Sequence, residues 1–171
     1  MTKTLILGGA RSGKSGFAQR AAEAAARAAG RRPVLIATGQ AFDAEMRERI
    51  DRHRADRGAA WTTREVPLLL ASEIAGLDAA EIVVVDCLTL WLTNLMMAEA
   101  DVEAAVFELE RSLASSSARI WLISNEVGMG IVPENALARR FRDEAGRLHQ
   151  RLAAICDHVT LIAAGLPLSF K

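Results

Sequence analysis

The sequence is short of cysteine, of net charge and of long hydrophobic runs, and each shortage closes a class of function. Its two cysteines, Cys87 and Cys156, lie far apart and outside any CxxC spacing. That argues against a disulfide framework and against a cysteine zinc site. Lys plus Arg and Asp plus Glu each number 21, so the formal net charge is zero. A broad electrostatic surface for nucleic acid is therefore not expected, and an anionic ligand has to be held by local geometry. The longest apolar stretch, residues 82–98, is interrupted by Asp86, Thr89, Thr93 and Asn94. It reads as a buried strand followed by a helix rather than a membrane span. Met1-Thr2-Lys3 leads straight into a short apolar run without a signal-peptide core. The expectation is a cytoplasmic protein with no stable membrane insertion. Internal repeats, low-complexity segments and shifts of composition are also missing. The 171 residues, half of them hydrophobic, therefore read as a single domain over 1–171 with a sizeable core.

What is present is strands alternating with helices along the chain. Strands are predicted at residues 4–8, 33–38, 61–65, 81–86, 119–124 and finally 159–164. Helices are predicted at 14–29, 42–57, 68–75, 88–97, 101–113 and 134–157. The near-continuous apolar runs of the strands suit a mostly parallel sheet covered on both faces.

Gly8-Gly9-Ala10-Arg11-Ser12-Gly13-Lys14-Ser15 fits the P-loop pattern GxxxxGK[ST], and it stands where that pattern needs to stand, after a strand and at the start of a helix. The glycines let successive backbone N–H groups turn inward around phosphate oxygens, and the helix adds its positive dipole end. Lys14 can reach the β- and γ-phosphates and Ser15 can ligate Mg²⁺. Asp86 ends the apolar run Ile82-Val83-Val84-Val85, the arrangement that delivers a carboxylate to a metal at the phosphate end of the sheet. Thr38-Gly39 and Asn125-Glu126-Val127-Gly128-Met129-Gly130 follow other strands, so they converge on the same edge, where open α/β sheets bind ligands. Gly128 and Gly130 read equally as loop flexibility or as substrate contact. The fold class that results is α/β, a P-loop NTPase (RecA-like) three-layer fold.

The histidines are less decisive. Phe42, Met46, Ile50 and His53 share one stripe of the 42–57 helix, which reads either as a core position or as a nucleophile. A neutral imidazole can attack phosphorus and form a phosphoramidate, and neighbouring arginines could neutralise the displaced charge. His149, set among Arg147, Gln150 and Arg151, is expected in solvent. His158 is expected near a helix C-terminus. Cys87 and Cys156 read as small buried hydrophobes.

Taken together these residues resemble a known family, the bifunctional adenosylcobinamide kinase/adenosylcobinamide-phosphate guanylyltransferases of cobalamin biosynthesis. The likeness runs nearly the whole length. It includes the P-loop in this form, Ile36-Ala37-Thr38, the 45–53 segment and Trp61-Thr62-Thr63-Arg64-Glu65. Its most distinctive piece is Asn125-Glu126-Val127-Gly128-Met129-Gly130-Ile131-Val132-Pro133-Glu134, followed by Arg139, Phe141-Arg142-Asp143, Gly146 and His149-Gln150-Arg151-Leu152. The resemblance implies two reactions. ATP or GTP phosphorylates the aminopropanol hydroxyl of adenosylcobinamide. GTP then donates GMP to that phosphate through a guanylylated histidine, giving adenosylcobinamide-GDP. The matching histidine is His53, single here because Arg52 stands where some members carry a second one. By position the family's GTP contacts fall on Gly8, Gly9, Ala10, Arg11, Ser12, Gly13, Lys14 and Ser15, on Ala37, Thr38 and Gly39, on Arg54, Ala55, Asp56 and Arg57, and on Glu65 and Asp86. Ser15 and Asp86 are the implied Mg²⁺ ligands, and a homotrimer is the implied assembly.

Three alternatives compete. A plain small-molecule kinase would share Lys14, Ser15 and Asp86 and would not need His53. A regulatory GTPase would carry a guanine-reading Asn-Lys-x-Asp motif, which the chain lacks. A RecA-like motor would be expected to have a nucleic-acid surface that the charge balance does not suggest.

Overall fold

The computed structural model describes residues 2–40 and 60–171. Among them, seven strands make one sheet in the order β3-β2-β4-β5-β1-β6-β7. β1 (Lys3–Gly8), β2 (Val34–Ala37), β3 (Thr62–Glu65), β4 (Ile82–Asp86), β5 (Arg119–Asn125) and β6 (His158–Ala163) are parallel. β7 (Leu166–Ser169) returns antiparallel to β6. The helices are α1 (Lys14–Ala29), α2 (Leu70–Ala75), α3 (Leu88–Met97), α4 (Val102–Ser115) and α5 (Ala136–Ile155).

Period-two alternation along the strands divides the core between two faces. In β4, Val83 and Val85 join Leu70, Leu88, Leu92, Leu109 and Leu148, while Ile82 and Val84 join Ala18, Ala22 and Ala26 of α1. The four-residue spacing of those alanines presents a smooth stripe, so α1 lies close against the sheet. Each fully buried Val or Leu side chain contributes about 1.5–3 kcal/mol, so both layers bind the sheet firmly. The other helices cover the opposite face, which makes three layers.

Local chemistry sets the helix ends. Asp101 accepts the Ala104 N–H to start α4, and Asn135 Oδ1 accepts from Leu137 and Ala138 to start α5. Gly30, at φ 62°, stops α1. No helix among the described residues is long and apolar enough to cross a membrane.

Most elements fall where the sequence places them, with ends shifted by one or two residues. The last strand is a correction, because β7 follows β6. Leu166-Pro167-Leu168-Ser169 is wholly exposed and contains a proline, so it gives no core-strand signal. An edge strand tolerates Pro167, and the Ala164–Gly165 turn, with both φ values positive, folds it back. The helix expected over 42–57 lies outside the described residues.

Candidate functional site

The phosphate loop springs from the carboxyl end of β1, in the middle of the sheet. Gly8 has no room for a side chain: a Cβ there would lie 2.4 Å from the Ile162 carbonyl oxygen and 2.6 Å from Ser12 Oγ. The loop is tied from several sides. Glu126 N–H donates to Gly8 O at 3.0 Å, Ser12 N–H to Gly9 O at 3.3 Å, and Gly165 N–H to Ser12 O at 2.9 Å. Lys14, only 7% exposed, folds back so that Nζ donates to Gly9 O at 2.6 Å.

This arrangement has the features an anion site needs. The N-cap of α1 is Gly13, which offers no side-chain cap to the first turn. Ser12 Oγ is buried with no hydrogen-bond partner among the described residues. Donors aimed at a helix N-terminus with an ammonium beside them fit a polyphosphate.

Asp86 stands at the end of β4, half-buried, two strands from β1. Its carboxylate forms no hydrogen bond or ion pair with the other described residues, which fits a carboxyl reserved for a metal beside the phosphates. Ser15, at the first turn of α1, is also half-buried.

Ala37 ends β2 beside β4, opposite Asp86, and Thr38 and Gly39 follow it. Thr38 is wholly buried, and its side chain faces inward. Thr38 Oγ1 donates to Cys87 O at 2.7 Å and accepts the Cys87 N–H at 3.0 Å. Asn94 Nδ2 holds Thr38 O at 2.7 Å and Pro67 O at 2.9 Å. The Thr38 N–H also donates to Asp86 O at 3.3 Å, so the hydroxyl and both backbone groups of Thr38 hold β2 to its neighbours. Glu65 ends β3 at the sheet edge and is exposed. His53, Arg54, Ala55, Asp56 and Arg57 lie outside the described residues.

Three polar residues outside the expected site set complete this edge. Asn125 Nδ2 donates to Thr89 Oγ1 at 2.8 Å, which lies 3.1 Å from Cys87 Sγ. Asn94 ties β2 to the loop before α2, as above. Asn125 opens the block singled out in the sequence, whereas Thr89 and Asn94 lie on α3 and belong to no motif; their roles follow from contacts between α3 and the strand ends.

His149 is a further correction. It is buried, 7% exposed, with Nε2 2.8 Å from Ser124 Oγ and Nδ1 3.7 Å from Glu126 Oε2. Burial pulls its pKa below the usual 6.5, partly offset by Glu126. Its polar neighbours suggested solvent, yet Ala145, Leu148, His149 and Leu152 follow i, i+3, i+4, i+7, the buried stripe of α5. His158 lies just past the C-terminus of α5, as expected, where it opens β6 and is exposed. Both cysteines are buried, as expected.

Residues 4–170 match the family described as cobinamide kinase / cobinamide phosphate guanyltransferase. The chain belongs to this family. Among its relatives, the bifunctional adenosylcobalamin biosynthesis protein CobP of Pseudomonas aeruginosa is 47% identical, over 99% of this chain and 97% of that protein. The bifunctional adenosylcobalamin biosynthesis protein CobU of Salmonella typhimurium is 39% identical, over 98% of each. Membership accounts for a phosphate loop and the Asn125–Glu134 block in one chain, and the kinase-only reading of the loop gives way to it. Solved structures resemble the fold at low identity. A KaiC-like protein from the archaeon Pyrococcus horikoshii superposes with a TM-score of 0.51 at 15% identity, over 94% of this chain and 70% of that one. The P4 protein from bacteriophage phi6 in complex with ADP gives 0.50 at 18%, over 97% and 52%. The chain thus shares the fold of these two proteins.

Proposed function

We propose that this chain performs both reactions of its family at one triphosphate site. In the first, the aminopropanol oxygen of adenosylcobinamide attacks the γ-phosphorus of ATP or GTP. A new O–P bond forms, the bond to the β,γ-bridging oxygen breaks, and the nucleoside diphosphate leaves. In the second, a nitrogen of His53 attacks the α-phosphorus of GTP and expels pyrophosphate. The phosphate of adenosylcobinamide phosphate then displaces the histidine to give adenosylcobinamide-GDP.

The observation that carries this reading is the tied loop from Gly8 to Ser15, with Lys14 folded over it, Ser12 Oγ without a partner among the described residues and α1 uncapped. Gly8 to Ser15 hold the phosphates through backbone N–H groups, and Lys14 stabilises charge on the transferring group. Ser15 and Asp86 are the residues that would hold Mg²⁺, which when bound neutralises phosphate charge. Ala37, Thr38, Gly39, Glu65 and residues 54–57 are assigned to GTP by family position. A cytoplasmic homotrimer is part of the same proposal.

The test uses GTP labelled at the α-phosphate, followed by denaturation. Label should stay on the protein, labile to acid and stable to alkali, as a phosphoramidate is. His53→Ala should abolish it while phosphorylation of adenosylcobinamide survives. Lys14→Ala should remove both activities. An undiminished label in His53→Ala would sink the nucleophile assignment.

A further inference from the structure

We propose that Glu126 is the base that takes the proton from the attacking hydroxyl in the kinase half-reaction, with His149 and Ser124 as the pair that positions its carboxylate. This rests on the kinase reading above and adds a residue to it.

Among the described residues, three carboxylates stand at carboxyl ends of strands beside the site: Glu65 ends β3, Asp86 ends β4 and Glu126 lies just past β5. The strand order puts these strands four, two and one places from β1. At about 4.8 Å per strand, that is about 19, 10 and 5 Å from the strand that carries the phosphate loop. Among these three, Glu126 follows the strand that pairs directly with β1, one strand nearer than the strand that carries Asp86. Its backbone is also fixed to the loop, through the N–H bond to Gly8 O at 3.0 Å.

The side chain is held as a positioned base should be. One oxygen, Oε1, accepts the Gly128 N–H at 2.5 Å. The other, Oε2, faces His149 Nδ1 at 3.7 Å. The side chain is 21% exposed, so it keeps an open flank. Gly128 fits this arrangement closely, because a Cβ there would lie 2.9 Å from Glu126 Oε1. Of the two sequence readings for Gly128, loop flexibility and substrate contact, neither is needed: the glycine makes the seat for the carboxylate.

His149 adds direction without taking the charge away. Its Nε2 lies 2.8 Å from Ser124 Oγ, and both groups are buried. In the tautomer this proposal uses, the Ser124 hydroxyl donates to Nε2 and the ring hydrogen sits on Nδ1, on the side of Glu126. Burial keeps the ring neutral. A neutral N–H orients a carboxylate and leaves it basic, whereas an imidazolium would hold it in an ion pair and weaken it as a base.

The chemistry separates the two half-reactions. An alcohol must lose its proton as its oxygen bonds to phosphorus, and Glu126 receives that proton and later gives it to water. A neutral imidazole already presents a lone pair, so attack by His53 does not require Glu126.

The experiment measures adenosylcobinamide phosphorylation and α-phosphate labelling in parallel, with kcat normalised to labelled sites. Glu126→Gln should lower the kinase kcat about 100-fold or more, with the nucleotide KM changed less than about threefold and labelling intact. His149→Ala should lower kcat per labelled site about tenfold, and His149→Asn, which restores an N–H donor, should recover most of it. A merely structural His149 would reduce the number of labelled sites and leave the turnover of each unchanged. Glu126→Gln that phosphorylates at the wild-type rate, or that loses label together with phosphorylation, overturns the inference. Wild-type protein that takes label but never phosphorylates adenosylcobinamide overturns the kinase reading instead.

Discussion

Replacing Gly8 by alanine tests whether the loop geometry is as tight as it looks. The added methyl carbon would sit 2.4 Å from Ile162 O, about 1 Å short of ordinary van der Waals contact. That oxygen belongs to the backbone of β6, in register with Gly8, so it cannot rotate away. Either β1 and β6 part locally, or the loop lifts and displaces Ser12. Overpacking of this kind costs about 1–3 kcal/mol. For a chain of this length each kcal/mol lowers the melting temperature by about 2–4 °C, so Gly8→Ala should melt roughly 2–12 °C below wild type. Loss of even one charge-assisted hydrogen bond to phosphate removes about 1.5–3 kcal/mol of binding, so nucleotide affinity should fall at least about tenfold. Gly9→Ala is the control. A Cβ at Gly9 meets no atom within 4 Å, and stability should stay within about 0.5 kcal/mol of wild type. Calorimetric melting and titration with a fluorescent GTP analogue read both quantities. Gly8→Ala that melts and binds like wild type would refute the reasoning.

Two further outcomes are expected. Burial pushes both thiols up, Cys156 to about 11 with help from Asp157 and Cys87 with help from Asp86. At pH 8 the native protein should therefore resist a disulfide reagent such as Ellman's, and two thiols per chain should appear in denaturant; rapid native labelling would contradict this. His149 binds its proton less readily folded than unfolded, where the value is 6.5. Below that value the unfolded chain holds a proton that the folded chain does not, so stability falls as pH drops through 6.5 toward the lower folded pKa, and the term vanishes above it. Glu126 faces the ring, and Lys171 lines the same cavity with it. Urea midpoints at pH 7.5 and 5.5 should diverge more in wild type than in His149→Asn, and equal divergence would remove this account.

What the sequence made legible is what depends on short range. The phosphate loop is eight consecutive residues between a strand and a helix, and the Ile82–Val85 run is apolar on both faces because the strand is covered on both. The rest depends on partners far along the chain. Thr38 looked like a ligand contact, but its hydroxyl is spent on Cys87, 49 residues away. β7 is held by pairing with β6 and by an exposed turn, so hydrophobicity does not mark it. His149 was legible in principle, since the i, i+3, i+4, i+7 stripe was there to read, but charged neighbours masked it. Gly128 gains its meaning only once Glu126 Oε1 is placed beside it.

The tied loop also bears on how one site would serve two chemistries. Glu126 N–H, Gly165 N–H and the Lys14 ammonium all bond to its carbonyls, so it is braced by β5, by the β6–β7 turn and by α1 at once. A loop held this way is pre-organised and does not need to rearrange between reactions. If it does not switch, the choice between γ- and α-phosphorus has to come from which nucleophile is presented. The residues assigned to the nucleophiles are separate in the chain: Glu126 past β5 prepares an alcohol, and His53, between β2 and β3 in sequence, supplies an imidazole. Lesions in the loop, at Gly8 or Lys14, should therefore take both activities together. Lesions at Glu126 and at His53 should each take one and spare the other, a double dissociation that a loop switching between two shapes would not produce.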